Sequence, residues 1–120
     1  MHWGRCITED FVEWEYLPVT LAPDQNYDKD GCFSGSAIET EDGHVLVYTG
    51  VTIDEDTREV KQVQCIASGD GLDYQKWDCN PVASPKLITE SVSQADFRDP
   101  KIWKHENKYY MVVGSCDEKN

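Results

Sequence analysis

The sequence predicts an all-β chain built from repeated units, on three observations. Short runs rich in Val, Ile, Tyr and Thr are bounded by Gly, Asn or Asp, as strands between turns are. Apolar residues nowhere recur at i, i+3, i+4 and i+7 over three turns, so no long helix is expected. The third observation is a repeat. Phe33-Ser34-Gly35-Ser36 opens a stretch that continues Ala37-Ile38-Glu39, passes Asp42-Gly43 and runs on from His44 to Gly50. Phe97-Arg98-Asp99-Pro100 opens a similar one, through Lys101-Ile102-Trp103 and Glu106-Asn107 to the run Lys108 to Gly114. Cys6-Ile7-Thr8 with Asp10, Trp14 and Pro18-Val19 is likewise answered by Cys65-Ile66 with Ser68, Asp70, Tyr74 and Pro81-Val82. Landmarks recurring at a nearly fixed offset mark a repeated structural unit.

The elements follow in order. Thr8-Glu9-Asp10-Phe11 predicts one capped helical turn, because a Thr oxygen accepts an orphan N–H and acids favour a helix start. Phe33–Glu39 and His44–Gly50 read as strands joined by a hairpin at Asp42-Gly43, where Gly supplies the positive φ. Asp54 to Glu59 is a charged, exposed connection. Within Val60–Ser68, Lys61 to Ala67 alternates polar and apolar residues, as a half-buried strand does. Asp70-Gly71 turns into a last strand, Tyr74–Trp77.

Four antiparallel strands in so short a span, repeated, are the pattern of a β-propeller blade. Residues 1–20 then end a first blade, 33–82 form a complete one, and 96–120 start a third: half a blade, a full four-stranded blade, half a blade. Propellers need four or more blades to bury their flanks. The count therefore predicts either a fragment of a longer protein or a chain that completes itself by self-association through exposed blade edges. A β-sandwich, which also has short strands at regular spacing, would leave the repeat accidental.

Composition narrows the partners. Net charge is -12, from 23 acidic against 11 basic residues, which argues against nucleic acid or an anionic membrane. No apolar stretch is long enough to span a bilayer, and no basic region followed by an apolar run marks a secretory signal. The five cysteines form no C-x-x-C pair and no zinc spacing. Cys6, Cys32, Cys65 and Cys116 lie in or beside apolar or small-residue stretches, so buried thiols of a reducing, cytoplasmic compartment are expected. His2, His44 and His105 stand far apart, and neither a metal nor another cofactor is implied.

In a propeller the first strand of each blade lines the central channel, so Phe33-Ser34 and Phe97-Arg98-Asp99 converge on one axis. An Arg beside an Asp offers donors and an acceptor suited to the vicinal hydroxyls of a sugar. Ser34 adds a hydroxyl, and Trp3 with the Phe side chains could supply apolar walls. The alternatives are a turn-stabilising Arg98–Asp99 ion pair and plain core packing for Phe33 and Phe97.

The residues also resemble a family. His2-Trp3-Gly4 and the run Asp10 to Val19 (DFVEWEYLPV) are similar to the HWGHA…DLVHWEHLPVAL segment of glycoside hydrolase family 32, the invertase, sucrose-6-phosphate hydrolase and levanase or inulinase group. Leu21-Ala22-Pro23-Asp24, Gly31 to Ala37, and Val47-Tyr48-Thr49-Gly50 resemble its next landmarks, and Phe97 to Lys101 its RDP motif. The resemblance implies a five-bladed propeller and retaining hydrolysis of terminal β-fructosyl bonds in sucrose, sucrose-6-phosphate or fructans. Retention proceeds through a carboxylate nucleophile, a carboxylic acid/base and a covalent fructosyl intermediate. It assigns Asp99 as transition-state stabiliser and fructose ligand, with Arg98 beside it, and Phe33 and Ser34 as contacts to the fructosyl unit. The family's WMNDPNG-type nucleophile motif and E-C-P acid/base motif have no counterpart in these 120 residues, and Arg5 replaces the usual His. The expectation is a truncated, inactive glycosidase segment that binds a fructose-containing sugar. A non-catalytic carbohydrate-binding or structural β-protein and a related arabinose- or xylose-acting glycosidase are the alternatives.

Overall fold

The computed structural model describes residues 1–117, and strands dominate it. In chain order they are β1 (Trp3–Ile7), β2 (Glu15–Leu21), β3 (Gly31–Thr40), β4 (Gly43–Ile53), β5 (Val60–Gly69), β6 (Tyr74–Lys76), β7 (Val92–His105) and β8 (Lys108–Asp117). They pair antiparallel into a two-stranded sheet β1-β2, a four-stranded sheet β3-β4-β5-β6 and a two-stranded sheet β7-β8. The chain is therefore all-β, a propeller fragment of half a blade, a whole blade and half a blade. Of the expected third segment, residues 118–120 lie outside those described.

Turn chemistry sets the register. Thr40 pairs with Gly43 across the β3–β4 hairpin, and Gly43 has a φ of 116° that only glycine adopts without strain. A Cβ there would also stand 2.6 Å from the Gly69 carbonyl oxygen. Between β5 and β6 the Asp70 carboxylate accepts from the Leu72 and Asp73 amides at 2.9 and 2.8 Å, while Gly71 takes a φ of 97°.

The helical turn expected at Thr8–Phe11 does not form. Thr8 Oγ1 accepts from the Asp10 and Phe11 amides, and Asp10 Oδ1 from those of Val12 and Glu13. Phe11 has a φ of 64°, which breaks helical continuation, so the capping oxygens close a turn between β1 and β2 instead.

The central sheet has two buried faces of different chemistry. Successive side chains on a strand point to opposite sides, and the register pairs Leu46 with Ala67, Tyr48 with Cys65, and Thr49 with Gln64. Leu46, Tyr48, Cys65 and Ala67 thus share one face, packed with Leu21, Cys32 and Trp3. Trp3 meets Tyr48 edge-to-face with ring centroids 6.5 Å apart, and its Nε1 donates to the Phe33 carbonyl at 2.9 Å. The preceding hairpin is therefore anchored on that face, while Arg5 reaches the Gly71 and Leu72 carbonyls at the far end. The opposite face carries Val47, Thr49, Val51, Gln62 and Gln64, all buried. This corrects the half-buried reading of β5, whose glutamine side faces the next sheet rather than water.

One buried ionic group closes the blade. Asp28, on the connection between β2 and β3, is fully buried and accepts from Tyr48 Oη at 2.8 Å and Lys76 Nζ at 2.6 Å. Lys76, on the outermost strand β6, also donates to the Ala22 carbonyl at 2.5 Å and Asp24 Oδ1 at 2.6 Å. Burial pulls the Lys76 ammonium down, but the hydrogen bonds to Asp24 and Asp28 outweigh it and leave the group above the ordinary lysine range. Lys76 in turn holds the Asp24 carboxyl below its usual value.

All five cysteines are free thiols, but only Cys32 and Cys65 are buried; Cys6, Cys79 and Cys116 are exposed. The expectation of buried thiols at Cys6 and Cys116 fails because both lie on two-stranded sheets, each with a bare face. Cys32 and Cys65 lie in the central sheet, and burial first, then the Asp28 charge, pushes each thiol up to about 12.

Candidate functional site

The site sits where two strands of adjacent sheets meet, at Ser34 near the start of β3 and at Asp99 midway along β7. β3 and β7 pack against one another, and Ser36 Oγ donates to the Pro100 carbonyl at 2.9 Å while accepting from the Ile102 amide at 3.0 Å. Ser36 and Pro100 occupy the same position in the two copies of the repeat.

Each strand is interrupted at its candidate residue. The β3–β4 register shifts between Phe33 and Gly35, leaving Ser34 as the extra residue. The β7–β8 register shifts between Arg98 and Lys101, leaving Asp99 and Pro100 unpaired. A bulge releases a residue from the ladder and re-aims its side chain, and bulges are enriched beside active sites. The local cause differs. In β3 it is Gly35, where an added Cβ would stand 1.9 Å from the Val47 carbonyl oxygen, so only glycine lets the strands close after the bulge. In β7 it is Pro100, which has no N–H to give to the ladder. Asp99 before it takes a φ of 61°, and such left-handed non-glycine residues cluster at functional sites.

The predicted residues divide as follows. Ser34 is exposed, and the Asp99 side chain is 62% accessible, free to accept from a ligand. Arg98 is half-exposed and held: its Nη1 lies 3.0 Å from Asp96 Oδ1 and 3.0 Å from the Ala95 carbonyl, while its Nε stands 4.0 Å from Asp99 Oδ2. The firm ion-pair partner of Arg98 is thus Asp96, and the contact to Asp99 is the looser one. Phe33 is partly buried, and Phe97 is a buried core residue that cannot wall a sugar site. Trp3 is joined to Phe33 through its indole N–H, so the two form one unit.

Sequence reasoning missed the residues beneath Asp99. Thr49, Gln62 and Gln64 project from the polar face of the central sheet into the Phe97–Asp99 backbone. Gln64 Nε2 donates to the Phe97 carbonyl at 2.6 Å, and the Phe97 amide donates to Gln62 Oε1 at 3.2 Å. Thr49 Oγ1 donates to Gln64 Oε1 at 2.9 Å and accepts from the Asp99 amide at 3.2 Å. A signal was available: an exposed strand face in so acidic a chain would carry charges, and Gln62 and Gln64 are neutral amides.

Two strands of adjacent sheets, bulged one repeat position apart, thus present a hydroxyl, a guanidinium and a carboxylate on one propeller segment. Known proteins share this sequence and fold. The model of the family described as glycosyl hydrolases family 32 N-terminal domain matches residues 1–120. A sucrose-6-phosphate hydrolase of Zymomonas mobilis is 42% identical, aligned with 100% of this chain and 23% of its own length. A raffinose invertase of Escherichia coli is 38% identical over 98% of the chain and 24% of its own length. Among solved structures, the sucrose-6-phosphate hydrolase of Lactobacillus gasseri superposes with a TM-score of 0.84 at 36% identity, over 98% of this chain and 23% of that one. A Bombyx mori GH32 β-fructofuranosidase in complex with sucrose gives 0.81 at 37% identity, over 99% and 24%. The chain belongs to glycosyl hydrolase family 32, and it spans about a quarter of the length of these relatives.

Proposed function

We propose that this chain supplies part of the fructosyl-binding site of a retaining β-fructofuranosidase acting on sucrose, sucrose-6-phosphate or a fructan. Asp99 accepts hydrogen bonds from fructose hydroxyls and stabilises the positive charge that develops on the ring in the transition state. Ser34 donates to or accepts from a neighbouring hydroxyl, Phe33 with Trp3 lines the apolar side of the ring, and Arg98 offers its free edge to the rim. The observation that supports this reading is the coincidence of two bulges, at Ser34 and at Asp99-Pro100, on inner strands bonded through Ser36.

The nucleophile and the acid/base are assigned to neither Asp99 nor any other carboxylate of these 120 residues, so the isolated chain binds a fructoside without cleaving it. Titrating the chain with sucrose and D-fructose, followed by amide resonances, tests the binding: shifts clustered at Ser34 and Asp99 are expected. No shift at either would sink the reading, and fructose release from sucrose at enzymatic rates would overturn the division of labour. The exposed aromatic residues Trp103, Tyr109 and Tyr110 on the last sheet support self-association through blade edges; a concentration-independent monomer mass by light scattering would count against that. The acidic charge supports a partner that is neither nucleic acid nor membrane, and five free thiols support a reducing, cytoplasmic setting.

A further inference from the structure

We propose that Thr49 and Gln64 are positioning residues for Asp99, fixing the backbone that aims its carboxylate; the inference rests on the fructosyl-binding reading above. Three hydrogen bonds close a ring beneath the β7 bulge. Gln64 Nε2 donates to the Phe97 carbonyl at 2.6 Å, Thr49 Oγ1 donates to Gln64 Oε1 at 2.9 Å, and the Asp99 amide donates to Thr49 Oγ1 at 3.2 Å.

Proton direction admits one arrangement. An amide N–H cannot accept, so Thr49 receives from Asp99 and spends its single O–H on Gln64 Oε1. Gln64 must then turn its NH₂ toward the Phe97 carbonyl. Both side chains are fully buried, where no water replaces a lost partner. The ring spans Phe97 to Asp99, the two residues that flank Arg98, and Gln62 Oε1 holds the Phe97 amide and the Arg98 Nη1 from the same face at 3.2 and 3.4 Å. Asp99 therefore leaves its own ladder with its amide already satisfied by the neighbouring sheet. That lets the residue hold a φ of 61° with its side chain exposed. The Gln64 backbone is tied as well, since its amide donates to the Ala83 carbonyl at 2.8 Å and its carbonyl accepts from the Val82 amide at 2.9 Å.

The test uses the whole chain and two readouts. In the unaltered protein the Asp99 amide, though it lies beside an exposed side chain, exchanges slowly with solvent; exchange at the rate of an unprotected amide would overturn the proposal without any variant. Thr49→Val keeps the volume and removes both hydroxyl bonds. It is expected to speed Asp99 amide exchange and to weaken sucrose binding about tenfold, the loss of roughly one ordinary interaction, while Thr49→Ser restores both. Equal impairment by Val and Ser would mark packing rather than positioning and reject the idea, as would unchanged affinity in Thr49→Val. Gln64→Met repeats the comparison should Thr49→Val fail to fold. If the unaltered chain binds no sucrose, the fructoside reading fails, and Asp99 amide exchange in the Thr49 variants still decides the positioning role.

Discussion

Ser36 and Pro100 stand 64 positions apart, and the side chain of one is hydrogen-bonded to the backbone of the other at 2.9 Å. Because Ser36 also accepts from the Ile102 amide, one hydroxyl satisfies two backbone groups of the neighbouring strand. Repeat-equivalent residues thus join the two sheets beside the site. Ser36→Ala leaves a carbonyl and an amide without that partner, at a cost of about 1–3 kcal/mol. Urea unfolding of the variant should show a lower midpoint with an unchanged m-value.

Asp99 separates a chemical role from a backbone one. Asn tolerates the left-handed region, whereas Ala in it loses about 1 kcal/mol or somewhat more. Asp99→Asn should fold with the parent's melting temperature, and Asp99→Ala should melt a few degrees lower. Both should lose sucrose affinity by about tenfold or more, as expected when a charged acceptor is removed. Calorimetric melting and a sugar titration read the two effects independently.

Gly35 is fixed by contact rather than by dihedral angle. An added methyl would lie 1.9 Å from the Val47 carbonyl oxygen and 2.8 Å from the Tyr48 Cα, both backbone atoms that cannot swing aside. Gly35→Ala should therefore destabilise the chain by about 3 kcal/mol or prevent folding, as overpacking against rigid neighbours does. Thermal melting compared with Gly4→Ala, where the added carbon meets nothing within 4 Å, is the control.

Lys76 neutralises a carboxylate that has no access to water. Lys76→Met leaves the buried Asp28 carboxyl without its cationic partner, and breaking one side of such a pair costs about 3–5 kcal/mol. Adding Asp28→Asn to that variant should recover part of the loss, because a neutral amide needs no cationic partner. A double-mutant cycle in urea measures the coupling.

Alkali should loosen the fold through two thiols. Folded Cys32 and Cys65 are raised from 9.0 to about 12. Between those values the native state holds protons that the unfolded chain has released, so stability is intact below about pH 9 and falls as pH rises toward about 12. Lys76, also raised, adds to the loss in the same direction. At pH 8 a thiol reagent should modify Cys6, Cys79 and Cys116 quickly and the two buried cysteines only on unfolding; rapid modification of all five would contradict the burial.

Much of the fold was legible because local chemistry and global architecture agree. Asp42-Gly43 and Asp70-Gly71 mark turns by backbone need alone, and the four strands from Phe33 to Trp77 differ from the observed ones by a few end residues. The Thr8–Phe11 turn misled because a capping oxygen serves a helix and a tight loop equally well, and only the following dihedral decides. Alternation in β5 gave the strand but not its surroundings, since a polar stripe looks alike whether it faces solvent or another sheet. The site was visible as a repeated phrase at Ser34 and Asp99. Its support at Thr49 and Gln64 was not, because those contacts cross about thirty to fifty positions of sequence, a separation no local pattern encodes. Arg98 looked paired with Asp99 by adjacency, yet successive residues on a strand point apart, and Asp96 shares its side.

The grip of Lys76 on Ala22, Asp24 and Asp28 also decides where this scaffold can be enlarged. Residues spliced between Glu55 and Thr57 would hang from an outer tip whose ends, Ile53 and Val60, stay paired. The same graft placed between Ala22 and Asp28 would drag the lysine's three acceptors apart and unfasten the rim of the blade from its hub. A recognition peptide therefore belongs at the tip, and the inner connector should be left at its natural length.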